Sequence, residues 1–275
     1  MILFLFFFNS IHFRMSAITL TLGDRAENNV GMEKIGVLSK EGFTINDLEK
    51  VKDEIGDGAD IIELKCDDGE ETVKDKAYLL IIRDGVNKIC DGRLSELKKE
   101  QFGLNPDRYA YMYGRVVNKH ARGNLCFDDV GHEADYENKK GTVVGYDSVP
   151  MTKLLRERVG LMLGDKGKDL CCEGNYYYDI KKCGIGFHGD AERRKVVGIR
   201  LGDSIPLHFQ WFYKSESVGK RIKFELNDGD MYIMSDKAVG FDWRKKNIMT
   251  LRHAAGSDKF LEIKKKKIQK KDAWV

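Results

Sequence analysis

His188 and Asp190 stand one residue apart at the end of an apolar run, in GIGFHGDAERR. Alternate side chains of an extended strand point to the same face, so this spacing predicts an imidazole and a carboxylate that converge on one ion. A third ligand is available in IMTLRHAAG, where His253 shares a predicted strand face with Met249 and Leu251. Two histidines and one carboxylate leave three octahedral positions open, as in non-haem Fe(II) oxygenases. Zinc held by the same three residues is the competing interpretation.

Short strands are predicted around these ligands, after Cys171. The stretches RKVVGIRLG, IPLHFQWF, RIKFELNDGDMYIM, IMTLRHAAG and KFLEIKK read as strands separated by Gly, Asp and Ser turns. Such a succession is typical of a sandwich or barrel. The first half adds predicted helices in TINDLEKVKDEI and RLSELKKEQFG, with strands in IIEL and YLLII, and a further helix is predicted in SVPMTKLLRERVGLML. The expected fold class is therefore α+β.

The composition is that of a folded globular chain. At 275 residues, with 33% charged and 42% hydrophobic residues, the chain is long enough for one large domain. Six cysteines without C-x-x-C spacing predict reduced thiols and a cytoplasmic or nuclear location. The net charge of +3 comes from KKKKIQKK at residues 264–271. That run is either a solvated tail or a nucleic-acid contact.

The N-terminal MILFLFFFNSIHFRM carries an apolar run that is too short to span a membrane, and it lacks the features of a signal peptide. It is interpreted as an upstream-start artefact or a loosely packed tail, with Met15 as a better start. The predicted organisation is a tail at 1–16, an N-terminal region with lid and substrate-recognition elements at 17–145, a core at 146–263 and a basic tail at 264–275.

The run EGNYYYDIKKCGIGFHGDAERRKVVGIRLGDSIPLHFQWF resembles the AlkB-like 2-oxoglutarate/Fe(II) dioxygenases. In that family an N-x-Y pair precedes H-x-D, an acidic residue follows, and a strand ending in LG comes next. Here these features are Asn175 and Tyr177, then Glu192, then IRLG ending at Gly202. The later GDMYIM looks like the strand that follows a turn in the family. The resemblance covers about residues 113–263.

The resemblance implies a double-stranded β-helix, or jelly-roll, with flanking helices and an N-terminal lid. It implies Fe(II) as the metal, and 2-oxoglutarate and O2 as co-substrates, with Asn175 and Tyr177 hydrogen-bonding 2-oxoglutarate. The implied reaction is oxidative decarboxylation of 2-oxoglutarate coupled to hydroxylation of a C–H bond, which demethylates an N-methyl group.

The C-terminal end departs from the family pattern and leaves two alignments. In the first, His253 is the third ligand, and Lys264 meets the distal carboxylate of 2-oxoglutarate. In the second, Arg252 meets that carboxylate and His253 binds no metal. Neighbouring strand residues face opposite ways, so both cannot enter the cavity without a bulge. We favour His253, because the second alignment leaves only two ligands. Lys264 offers a point charge rather than a bidentate fork.

The predicted substrate contacts lie upstream, in YGRVVNKHARGNLCFDD. Arg115 and Arg122 stand there among aromatic residues, a combination that suits phosphate contact and base stacking. Together with the lysine-rich tail, they predict nucleic acid as partner and an alkylated nucleobase as substrate. The alternatives are an ordinary charged hairpin, an oxygenase acting on a protein side chain, or a nucleic-acid-binding module on a degenerate barrel. No obligate protein partner is expected.

Overall fold

The computed structural model describes residues 16–67 and 75–263. Residues 1–15, 68–74 and 264–275 are outside this range. The predicted apolar run, the basic tail and Lys264 therefore lie outside the described residues.

Strands dominate the described chain. In chain order they are β1 Ala17–Gly23, β2 Arg25–Glu27, β3 Lys34–Gly36, β4 Ala59–Glu63, β5 Tyr78–Ile82, β6 Tyr109–Met112, β7 Arg115–Asn118, β8 Gly123–Asp128, β9 Val143–Gly145, β10 Cys171–Tyr177, β11 Gly184–His188, β12 Val196–Gly202, β13 Leu207–Tyr213, β14 Glu216–Phe224, β15 Met231–Met234 and β16 Thr250–Gly256. The α-helices are α1 Ile45–Ile55, α2 Gly85–Ile89, α3 Leu94–Phe102, α4 Pro150–Leu163, α5 Asp236–Val239 and α6 Asp258–Leu261.

Two sheets build the centre of the molecule. An eight-stranded sheet has the order β4-β5-β15-β12-β1-β10-β8-β9, and a four-stranded sheet has the order β11-β16-β13-β14. All neighbouring strands in them are antiparallel except β8 and β9. Two hairpins, β2-β3 and β6-β7, lie beside them. The class is α+β, as predicted.

Strand β1 lies in the middle of the larger sheet, between β10 and β12. The larger sheet therefore crosses the predicted boundary between the regions 17–145 and 146–263. The register places Thr19 opposite Asn175 on one side and opposite Arg200 on the other. The first strand of the described chain thus contributes directly to the surface that faces the smaller sheet.

The strict alternation of β1 separates two environments. Ile18, Leu20 and Leu22 pack into the main hydrophobic core, together with residues of α1, α3 and α4. Each such fully buried side chain contributes about 1.5–3 kcal/mol relative to exposure. Thr19 and Thr21 point the other way, toward the cavity described below. A second core, with Phe209 and Leu251 of the smaller sheet among its residues, joins the two sheets farther along.

The three long helices form where their periodicity predicts them. Thr44 caps α1 through a capping box with Asp47, and Pro150 opens α4 at its first turn. Helix α3 ends at the predicted Gly103. In residues 16–67 and 75–263, no helix is both long enough and apolar enough to cross a bilayer.

The predicted strand in KFLEIKK is wrong, because its described part lies largely in the short helix α6. Strand β16 already has β11 on one side and β13 on the other, so a strand that follows it has no free edge beside it. Gly256 ends β16 at a φ of 120°, a conformation that suits glycine. Ser257 then donates its N–H to the carbonyl of Cys183.

Candidate metal centre

His188, Asp190 and His253 come together on the smaller sheet, at its surface toward the larger one. Strands β11 and β16 are neighbours, with His188 directly opposite His253. The Nε2 atoms of His188 and His253 lie 3.4 and 3.3 Å from Oδ1 of Asp190. The three potential ligand atoms all lie within 4.8 Å of one another. Ligands at about 2.1 Å on adjacent octahedral corners lie about 3 Å apart, so little movement separates this arrangement from a coordination shell.

A bulge and a strand end, rather than simple alternation, produce this convergence. Ile185 pairs with Ala255 and His188 with His253, so β11 contains one extra residue between the two pairs. The bulge turns His188 onto the face that Ile185 occupies. The expectation that His188 and Asp190 share one strand face was wrong, because β11 ends at His188 and Asp190 lies in the following loop.

Gly189 allows that loop to pack closely. A Cβ atom at this position would lie 2.2 Å from the carbonyl oxygen of Gly240, where no side chain fits. The backbone N–H of Asp190 donates to the carbonyl of Val239, at 3.1 Å. The glycine of His-Gly-Asp is therefore required by the close approach of two loops.

Hydrogen bonds and charges around Asp190 set the protonation of the group. A carbonyl oxygen only accepts, so the 2.8 Å contact between Nδ1 of His188 and the Gly186 carbonyl places a proton on Nδ1 and turns Nε2 toward Asp190. Burial alone would raise the pKa of Asp190. The charges of His253 and Arg193 nevertheless hold that pKa well below its usual range, so the carboxylate is ionised. Burial lowers the pKa of His253. For His188 burial acts in the same direction, but hydrogen bonding to Asp190 outweighs it and raises the pKa.

Arg193 anchors the carboxylates around this group. Its Nη2 donates to Glu173 and, at 2.9 Å, to Glu192, and its Nε lies 3.6 Å from Oδ2 of Asp190. Only 3% of Arg193 is exposed. Burial and the neighbouring charge of Asp190 raise the pKa of Glu192. We did not select Arg193 from the sequence, where two adjacent arginines follow Glu192 without a distinguishing pattern.

A cavity of about 670 Å³ extends from this group between the two sheets. Its inner end is lined by buried residues of the larger sheet: Thr19, Tyr177, Arg200 and Tyr232. Its outer end is lined by residues that include the partly exposed Arg122 and Trp243 and the exposed Arg244. The metal-ligating group thus lies in a cavity with one closed, polar end and one open end.

Arg200 is the principal charge at the inner end. It is 1% exposed, and its Nη1 donates to the hydroxyl of Thr19. Its Nε has no hydrogen-bond partner among the described residues, and within the same residues its guanidinium forms no ion pair. A buried charge without a counter-ion is strongly unfavourable, so this end of the cavity suits an anionic ligand. Sequence analysis missed the signal for Arg200. In VVGIRLG the side chains alternate, and Arg200 points to the face opposite Val197, Ile199 and Leu201.

The residues that the resemblance assigns to 2-oxoglutarate both reach the cavity. Tyr177 lines its inner end. Asn175 is held in a network, where Oδ1 accepts from Arg122 Nε and from Asn124 at 2.9 Å, while Nδ2 donates to Glu173 at 3.1 Å. Asn124, Asn175, Thr19 and Arg200 form one row across β8, β10, β1 and β12.

Of the other predicted contact residues, some line the cavity and others do not. Arg122 lines the cavity, whereas Arg115 is exposed on β7 and does not. Arg252 lies on the outer face of the smaller sheet, with its guanidinium 3.9 Å from the centre of the Phe212 ring. The alternative that gave Arg252 to the co-substrate is therefore corrected, because β16 alternates regularly and turns His253, its neighbour, into the cavity.

Comparison with known proteins gives a viral relative. No family model matches the chain. The chain is 46% identical over 250 residues to uncharacterized protein R156 of Acanthamoeba polyphaga mimivirus, which covers 89% of this chain and 97% of the viral protein. The chain belongs to the family of that mimivirus protein. The similarity extends over nearly all of both chains.

Proposed function

We propose that this protein is an Fe(II)- and 2-oxoglutarate-dependent dioxygenase. The observation that carries the proposal is a His-Asp-His group in a cavity whose inner end holds a buried arginine without a counter-ion. A metal beside a fixed positive charge suits a small ligand that chelates through one end and carries a carboxylate at the other. The donor set of two imidazoles and one carboxylate also fits Fe(II) with open positions.

The strand arrangement supports a double-stranded β-helix. From β10 onward the chain passes between the sheets, with β10, β12 and β15 in the larger sheet and β11, β13, β14 and β16 in the smaller one. Repeated crossing between two antiparallel sheets is typical of a jelly-roll. In this proposal β1, from the other end of the chain, completes the larger sheet beside β10 and β12.

Arg200 takes the role for which the sequence offered Lys264 or Arg252. Its guanidinium provides a planar fork that matches a carboxylate, and Thr19 holds it in place. Tyr177 and Tyr232 add hydroxyl groups to the lining of the same end of the cavity. We propose that these residues bind the distal carboxylate of 2-oxoglutarate and orient its 2-oxo acid end toward His188, Asp190 and His253.

The bound iron would couple oxidative decarboxylation of 2-oxoglutarate by O2 to hydroxylation of a substrate C–H bond. The residues of the chain itself would hold the metal, orient the co-substrate and enclose the site. Arg193 fixes the carboxylates around Asp190, and the two sheets exclude water from the inner end. The open end, between Arg122 and Trp243, admits the substrate, for which we propose an alkylated nucleobase. A base must leave its stack to reach such a site.

An anaerobic spectrum tests the metal and the co-substrate together. Fe(II) and 2-oxoglutarate added to the wild-type protein should give a weak visible charge-transfer band, and His188→Ala should give none. Arg200→Met should still bind Fe(II) but require at least about tenfold more 2-oxoglutarate for the band, because a charge-assisted bidentate contact contributes about 1.5–3 kcal/mol.

The matched control is Arg158→Gln, which removes an exposed arginine of α4 that pairs with Asp91. It should behave as wild type. A wild-type protein that binds no Fe(II), or an Arg200→Met variant with unchanged demand for 2-oxoglutarate, would contradict the proposal. Succinate formation in the presence of methylated oligonucleotides or peptides then identifies the substrate class.

A further inference from the structure

The side-chain amide of Asn175 is held by the protein at both of its ends. Its Oδ1 accepts from Nε of Arg122 and, at 2.9 Å, from Nδ2 of Asn124, while its Nδ2 donates to Glu173 at 3.1 Å. An arginine only donates and a carboxylate only accepts, so these two partners fix which end of the amide carries the oxygen. Both lone pairs of that oxygen are therefore occupied, and only 9% of the residue is exposed.

The contacts continue from Asn175 to a predicted metal ligand. Glu173 lies two residues before Asn175 on β10, hence on the same strand face, and it accepts from Nη2 of Arg193. Nε of Arg193 lies 3.6 Å from Oδ2 of Asp190, whereas Oδ1 of Asp190 lies nearest the two histidines. Arg193 thus engages one carboxylate oxygen of Asp190 and leaves the other for the metal.

At its other end this chain of contacts reaches the mouth of the cavity. We call Arg122, Asn175, Glu173 and Arg193 the positioning chain. Arg122 is partly exposed and lines the open end of the cavity, whereas Glu173 and Arg193 are buried. The charges alternate from Arg122 through Glu173 and Arg193 to Asp190, with the neutral amide of Asn175 after the first. Each member is therefore attracted to the next, and the chain is held as a unit.

We infer that Asn175 is a positioning residue that acts on the metal through Glu173, Arg193 and Asp190, and that 2-oxoglutarate is held without it. The resemblance assigns Asn175 to the co-substrate. The amide oxygen has no free lone pair, however, and the nitrogen with the remaining N–H lies 3.1 Å from Glu173, whose charge repels a carboxylate. The inference rests on the proposed function for the identity of the metal, but the chain acts on Asp190 whichever divalent ion is bound.

Two anaerobic titrations of Asn175→Ala separate positioning from co-substrate binding. The first measures Fe(II) affinity without 2-oxoglutarate, by competition with a coloured chelator. The second measures how much 2-oxoglutarate the visible band requires when Fe(II) is saturating. The matched control is Asn29→Ala, because Asn29 lines the same cavity but its side chain donates only to the carbonyl of Val30 among the described residues. Thermal melting checks the fold of each variant.

Asn175→Ala should bind Fe(II) about 10- to 100-fold more weakly than wild type, the usual effect of losing a residue that orients a metal ligand. Its demand for 2-oxoglutarate at saturating Fe(II) should be unchanged. The control should match wild type in both titrations. Zn(II) in place of Fe(II) should rank the proteins in the same order, because the chain orients Asp190 for either ion.

Arg122→Met tests the link to the cavity mouth by the sign of its effect. Removing a cation near a metal should by itself strengthen the binding of a divalent ion. Loss of the hydrogen bond to Asn175 should instead weaken it. The double variant Arg122→Met/Asn175→Ala should bind Fe(II) no more weakly than Asn175→Ala, since Arg122 acts through that amide. Arg122 is partly exposed, so this variant also serves if Asn175→Ala does not fold.

The inference is overturned by wild-type Fe(II) affinity in Asn175→Ala, by a raised demand for 2-oxoglutarate at saturating Fe(II), or by unchanged or tighter Fe(II) binding in Arg122→Met. A wild-type protein that binds neither Fe(II) nor Zn(II) would overturn it as well. A wild-type protein that binds these ions but gives no band with 2-oxoglutarate would contradict the proposed function alone, and the ion titrations would still test the positioning chain.

Discussion

Two groups of cations near the cavity differ in what neutralises their charge. Lys119 and Arg122 belong to the basic stretch that was selected from the sequence, and their side chains point into the protein. Lys119 donates to Asn28 and Asn124, and Arg122 donates to Asn175. Arg244 and Arg252 instead lie on aromatic rings and meet no carboxylate of the described chain. A dense run of basic residues is thus a poor guide to available charge, because internal polar groups can already occupy it.

The largest expected effect concerns Arg193, a buried cation that binds carboxylates inside the protein. Arg193→Leu leaves the buried Glu173 and the partly buried Glu192 without their partner, and it should lower the free energy of unfolding by about 3–5 kcal/mol. Denaturation by urea, compared with wild type, measures the change. Arg158→Leu, which breaks an exposed pair, should cost no more than about 1 kcal/mol. Equal losses in the two variants would show that Arg193 is not the internal counter-ion we describe.

Lys119 should give a distinct dependence on pH. Burial lowers the pKa of Lys119 to about 8 from its ordinary value of 10.5. Between these values the unfolded chain keeps a proton that the folded chain has lost, so stability rises with pH by on the order of 3 kcal/mol. Lys119→Met should lack this rise. Unfolding free energies of both proteins from pH 7.5 to about 10.5 provide the test, and parallel curves would mean that Lys119 is exposed and free to bind a partner.

The smallest effect is expected on the outer face. Arg244→Gln removes an exposed arginine without an ion pair, so the free energy of unfolding should change by no more than about 0.5 kcal/mol. The same urea titration measures it. A loss comparable to that of Arg193→Leu would remove the contrast between inward and outward cations.

Much of the fold follows from local patterns. Helix α4 shows its apolar face at Met151, Leu155 and Val159, and the strands β12, β13 and β16 alternate as expected. The prediction of a strand in KFLEIKK was wrong, because the sequence pattern alone cannot show that both edges of β16 are occupied. The position of β1 between β10 and β12 could not be predicted from the sequence either, because pairing between strands so far apart in the chain depends on the whole sheet.

The candidate site, like the fold, could be predicted from the sequence only in part. His188, Asp190 and His253 were selected by residue type and spacing, and the structure brings them together. The bulge that turns His188 inward, and the loop contact that places Asp190, depend on β16 and on Gly240. Arg200 was overlooked because its lack of a counter-ion becomes visible only when the residues around it are known.

The sequence by itself determined the residue types available for chemistry and the alternation of the regular strands, and hence that His253 and Arg252 face opposite ways. Periodicity suffices for these because it depends on backbone geometry within a few residues. Only the tertiary structure decided which cations are neutralised inside and which face outward, and which strand adjoins Asn175 and Arg200. Burial and pairing are properties of neighbours that lie far away in the chain, and no local pattern encodes them.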